Sequence, residues 1–174
     1  MTSRRTLIVL LCVVPVCGEV KTKQYAEPEG CIKTYRLAAG RVLTASGLVE
    51  DPTVNAIMKE AVSAQLNRFK ITEAGKSADV EIRFMGGSSA GLQVDDLSVG
   101  DVAMWNIGGA QAVPGHTYKK SNLVIGAFDN RSNRTIWAAR CIDKFGDPEH
   151  MQERIQKAVS KAFGKFPNKM ACGT

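Results

Sequence analysis

The stretch from residue 121 to 167 constrains this chain more than any other. It reads as a β-hairpin followed at once by one strongly amphipathic helix. Residues 122–129 (NLVIGAFD) alternate Leu123, Ile125 and Ala127 with Val124, Gly126 and Phe128, and residues 135–142 (TIWAARCI) are again apolar on both faces. Two such strands belong near the middle of a sheet. Between them Asn130, Arg131, Ser132 and Asn133 supply turn chemistry, because short polar side chains bond their own backbone. Beyond the hairpin, Met151, Ile155, Ala158, Val159, Ala162, Phe163 and Phe166 recur at helical spacing. Asp147 and Pro148 suit the start of that helix, acids crowd its first turns and bases its last, and Gly164 and Pro167 end it. The expected helix is 147–164.

A leader precedes the folding part. Residues 1–18 carry Arg4 and Arg5, then an apolar run from Leu7 to Val16 that is short for a bilayer span and fits a secretory signal peptide. Two readings of its end stay open. Val16-Cys17-Gly18 allows ordinary cleavage after Gly18, whereas Cys17 could be the lipid-modified first residue of a lipoprotein, although Val16 is a poor residue before such a cysteine. On both readings the chain is exported, to the periplasm or cell envelope, and it is membrane-anchored only if Cys17 is lipidated; the remaining alternative is that the apolar run is retained as a core strand. The formal charge is +6, and +4 without the two leader arginines. That excess falls in no block and is not interleaved with aromatics, so a nucleic-acid partner is not expected.

Residues 19–30 are polar and aperiodic and read as a flexible lead-in; 31–167 form a single domain and 168–174 a C-terminal tail. Within the domain, 31–38 (CIKTYRLA) is a first strand. Asp51-Pro52 opens a second helix over 51–69 with Val54, Ile57, Met58, Ala61, Val62, Leu66 and Phe69 on one stripe. Residues 78–85 (ADVEIRFM) alternate strictly, with Val80, Ile82 and Phe84 inward and Asp79, Glu81 and Arg83 toward water. The glycine-rich 86–120 segment reads either as a further hairpin, with a strand at 102–107 and a tip at 95–101, or as a functional loop.

The search for chemistry finds little. His116 and His150 lack convergent ligands, and Asp95, Asp96 and Asp101 lack the closing acid of a calcium loop. Ser46, Ser88 and Ser89 have no paired base, and 86–91 lacks the lysine of a phosphate loop. Neither catalytic, metal nor cofactor residues are assigned. Cys31, Cys141 and Cys172 survive removal of the leader; if one pair closes, Cys31–Cys172 would tie the two ends, leaving Cys141 as a small buried hydrophobe.

Leu123-Val124-Ile125, then Asp129, then Trp137 resembles the signature hairpin of the domain of unknown function 4136 family. Lys33-Thr34-Tyr35 is similar to its first strand, and Ala78-Asp79-Val80 with Ile82 and Phe84 to its "AD-apolar" strand. Ile155, Ala158-Val159, Phe163 and Phe166-Pro167 are similar to its closing helix. The resemblance implies a bacterial envelope protein, often a lipoprotein, with no known activity. The expected fold is α+β, an antiparallel-rich sheet of four to five strands with two amphipathic helices packed on one face. The expected role is a non-enzymatic module that binds an envelope protein or cell-wall component. Alternatives are a carrier of lipid or another amphiphile under the 86–120 segment, and an enzyme whose site is not readable from sequence.

Overall fold

The computed structural model describes residues 18–44, 47–88, 121–143, 145 and 149–172. In chain order these form β1 (Glu19–Gln24), β2 (Thr34–Leu37), β3 (Arg41–Thr44), β4 (Gly47–Val49), α1 (Pro52–Arg68), β5 (Thr72–Glu73), β6 (Val80–Ser88), β7 (Ser121–Asp129), β8 (Arg134–Asp143) and α2 (Met151–Phe163), closed by a 3-10 turn at Asn168–Met170.

The hairpin β7–β8 occupies the middle of the sheet, as two-sided apolar strands require, in the order β1-β8-β7-β6-β2-β5. Its turn is Asn130 to Asn133, with Asn133 in the left-handed region at φ 53°. β6 pairs antiparallel with β7 over nine residues, from Val80↔Asp129 to Ser88↔Ser121. On the other flank of β6, β2 and β3 pair parallel with successive stretches of the same edge. The break between them contains Gly40, where a Cβ would lie 2.1 Å from the Phe84 ring, so no larger residue fits.

Both helices lie on one face of the sheet and contact each other. α1 begins where expected: the Asp51 carboxylate accepts from the amides of Thr53 (2.9 Å) and Val54 (3.1 Å), with Pro52 at the first position. Val54, Ile57, Val62 and Leu66 of α1 and Ile155, Val159 and Phe163 of α2 are buried against Ile82, Ile125 and Ala139 of the sheet. Trp137 projects from β8 into an aromatic cluster, with ring centroids 5.3 Å from Phe163 and 5.2 Å from Phe166. Among the described residues no helix is long and apolar enough to cross a membrane.

Four expectations need correction. Among the described residues the sheet has eight strands, not four to five. The extra ones are short or lie in segments without a hydrophobic period, such as the three-residue β4 and the two-residue β5. The lead-in at 19–30 is not flexible throughout, because 19–24 is the edge strand β1, paired antiparallel with β8 from Glu19↔Ile142 to Gln24↔Trp137. Its order comes from β8 and from two lysines of α2, Lys161 and Lys165, whose ammonium groups reach the carbonyls of Gly18 and Val20. The C-terminal tail likewise folds in: Met170 and Ala171 are buried, Ala171 bridges to Ile32, and Cys172 is disulfide-bonded to Cys31 with Cα atoms 5.0 Å apart. Finally, the second helix runs Met151–Phe163 rather than 147–164, with His150 at its cap making no capping bond from its side chain; Asp147 and Pro148 lie outside the described residues.

Phe163 is fully buried and touches two aromatic rings, so Phe163→Ala should cost about 3–5 kcal/mol. A urea titration reads this directly as a lower midpoint, and an unchanged midpoint would contradict the packing.

Candidate functional site

Strand alternation and the observed register divide the sheet into two faces. Val80, Ile82 and Phe84, with Leu123, Ile125 and Ala127 and then Trp137, Ala139 and Cys141, face the helices. Among the described residues the opposite face carries no helix. Across it the register sets side chains in rows. One row runs Lys21, Arg140, Val124, Met85, Arg41. The next runs Lys23, Ala138, Gly126, Arg83. A third holds Phe128, Glu81 and Arg36.

Glu81 was expected to face water and does not: it is 5% exposed. Its two oxygens are taken by Arg83 Nε on one side and the Arg36 guanidinium on the other, so the carboxylate is covered by its own partners. The Arg83 guanidinium also lies 4.4 Å from the centroid of the Phe128 ring, a cation–π contact. Arg36 Nε finds no acceptor among the described residues. Arg140 Nε donates to Asn122 Oδ1 at 3.1 Å. Cationic side chains thus surround Gly126 and Ala138, both of which are buried.

A second polar cluster sits at one end of the sheet and is structural. After β1 the chain must reach β2 on the far side of β6, and it does so as a strap passing the ends of β8, β7 and β6. Tyr25 N donates to Ile136 O (2.9 Å), Glu29 N to Asp129 Oδ2 (2.8 Å), and Lys33 N and Thr34 N to Asp79 Oδ2 (2.9 and 3.0 Å). Arg131 ties the same parts together through Asp79 and the carbonyl of Glu29. Gly30, beside it, has φ 87°, which favours glycine there. Burial alone would raise both carboxyl pKa values. The opposing hydrogen bonds win: Lys33 and Thr34 on Asp79, with the Arg131 charge adding to them, and Glu29, Arg131 and Ser132 on Asp129. Both groups are held below the ordinary 3.8.

The remaining candidates stay apart. Cys141 is buried under α2, with Sγ 3.7 Å from the Ala158 carbonyl, and burial pushes its thiol up to about 12, so it stays protonated at neutral pH. The small cleft beside it, between Gly18, Val20, Asp143 and Lys161, has a volume of about 10 Å³, room for one water at most. His150 is exposed at the start of α2. Among the described residues no group of His, Cys, Asp and Glu is placed to share a metal ion. Cys17, Ser46, Ser89, the expected strand at 102–107, the tip at 95–101, His116 and most of the 86–120 segment lie outside the described residues. The Arg36–Glu81–Arg83 group was not legible in the sequence. Alternation already put Glu81 and Arg83 on one face, but Arg36 arrives by a pairing 45 residues distant in sequence.

The family model "Domain of unknown function (DUF4136)" matches residues 25–168. Among solved structures, the chain is similar to a DUF4136 family protein from Bacteroides thetaiotaomicron, with TM-score 0.57 and 14% identity over 87% of this chain and 97% of that one. It is also similar to the PelC dodecamer from Paraburkholderia phytofirmans, with TM-score 0.50 and 10% identity over 88% and 98%. A PDZ domain protein from Parabacteroides distasonis gives TM-score 0.55 and 13% identity over 87% of this chain and 35% of that one. These likenesses concern the fold. No curated protein matches the chain.

The strap cluster sets a pH dependence. Because both aspartates have a folded pKa below 3.8, their contribution is complete above that value and is lost as pH falls through the depressed folded values. Urea midpoints measured from pH 6 down to pH 2 should therefore fall at the acid end, and Asp79→Asn with Asp129→Asn should flatten that fall. An acid limb unchanged in the double variant would show that other groups govern it.

Proposed function

The chain belongs to the Domain of unknown function (DUF4136) family, and from that premise we propose that it is an exported, non-enzymatic envelope domain that docks a partner on the sheet face its helices leave uncovered. The observation that carries this reading is the contrast between the two faces. One is packed solid by α1 and α2. The other holds a covered carboxylate between two arginines, with further cations around it and, among the described residues, no helix over them. A surface of that kind offers recognition without a nucleophile, a base and an orienting group arranged together. The leader supports placement in the periplasm or cell envelope, with anchoring where Cys17 carries lipid.

Self-pairing through the edge strand is the weaker route to a partner. β1 carries charged side chains at Glu19, Lys21 and Lys23, and Lys161 and Lys165 occupy the carbonyls of Gly18 and Val20. These are the devices by which edges resist pairing.

A photo-crosslinking residue placed at Lys23, on the uncovered face, should give adducts in intact envelopes, while one at Lys59, on α1, should not. Adducts from Lys59 alone, or from neither position, would overturn the assignment of the face. Mass spectrometry of the same material should find a mature N-terminus at Glu19 or a lipidated Cys17; a retained leader would overturn export.

A further inference from the structure

Given the export proposed above, on which this rests, we infer that the leader is cut on the N-terminal side of Gly18, so that the mature chain keeps Gly18 and begins there or at Cys17. In the sequence this glycine is ambiguous. A small residue serves equally well as the last residue of a removed leader and as the first residue of a tightly packed strand. The surroundings of Gly18 separate the two uses.

Gly18 is half-buried against the end of β8. Its amide donates to Asp143 Oδ2 at 3.2 Å, and the other oxygen of that carboxylate accepts from Arg154 of α2 at 2.9 Å. Its carbonyl accepts from Lys161 Nζ at 3.4 Å. A Cβ added to this residue would lie 1.9 Å from the Ile142 carbonyl oxygen, so the fold itself demands glycine here. A residue discarded with the leader would need none of these features.

The edge strand points the same way. No side chain of β1 is buried, so the strand is held through its main chain. On one side it pairs with β8. On the other, Lys161 reaches the carbonyl of Gly18, and Lys165 reaches that of Val20 at 2.9 Å. Two residues of strand span about 6.6 Å, and one turn of helix rises about 5.4 Å. Lysines four residues apart at the end of α2 therefore match carbonyls two residues apart in β1. Cutting after Gly18 would remove one of those two carbonyls. Lys161 would then have a new α-ammonium group nearby, that of Glu19, in place of an acceptor.

The test is mass spectrometry of the N-terminal peptide of the full chain, expressed with its own leader and recovered from envelopes, together with the variant Gly18→Ala. The peptide should begin at Cys17, with or without an acyl group, or at Gly18. Alanine is also accepted by a peptidase that cuts after residue 18. A cut there would thus yield the same mature protein from variant and wild type, with the same urea midpoint. If residue 18 is retained, the added methyl meets Ile142, and the midpoint should fall by roughly 0.5 M or more. A chain beginning at Glu19, or a Gly18→Ala midpoint equal to that of wild type, would overturn the inference and leave export standing. A leader still attached in the recovered protein would overturn both. Should Gly18→Ala fail to accumulate, the start of the wild-type peptide decides alone.

Discussion

A one-residue slip of β6 against β7 would turn Val80, Ile82 and Phe84 away from the helices and bring Glu81 and Arg83 beneath them. The nine-residue pairing of these strands therefore decides two things together. It places the apolar residues that α1 and α2 cover, and it places the charges that remain outside. Register here is fixed from three sides. Ile82 and Ile125 lose their burial if it moves, Gly40 must stay opposite the Phe84 ring, and Asp79 and Asp129 must remain at the sheet end where the strap crosses. The core and the cationic face are consequences of one alignment.

The parts of this architecture that were legible in the sequence are those whose signal is local. The stripes of 51–69 and 147–164, the alternation of 78–85 and the two-sided hairpin each state their own period within a dozen residues. Helix 51–69 was legible to its cap, because the Asp51 carboxylate meets the first free amides and Pro52 suits the first position; the same pair at Asp147-Pro148 does not mark the start of α2, which begins at Met151. What was not legible depends on partners far away in the chain. The strand at 19–24 (EVKTKQ) has almost no apolar content; its extended form is supplied by the open edge of β8 and by lysines more than 140 residues later. The tail is held by Cys31 and by Ile32, again from the other end of the chain.

The same distinction explains the candidate site. Asp79 and Asp129 stood out in the family-like motifs, and a carboxylate in a motif invites a chemical reading. Their surroundings instead satisfy amide groups of a strap that has no sheet partner of its own, the requirement that buried backbone groups be paired. Glu81 was assigned to water because its neighbours in sequence are apolar and its own side chain is charged. Burial followed from Arg36, delivered by β2, which converts a solvated position into a paired one.

Glu81 also resolves a difficulty that a purely cationic face would have. Arg36 and Arg83 approach each other across adjacent strands, and without an anion between them like charges would push both side chains into disordered positions. A single carboxylate that accepts from both holds each guanidinium in place. Burial makes this arrangement sensitive to composition: removing either arginine would leave a carboxylate with too few donors in a covered site, a larger penalty than the loss of one exposed ion pair. The group thus lets one negative charge fix two positive ones, so that this part of the sheet keeps a defined geometry.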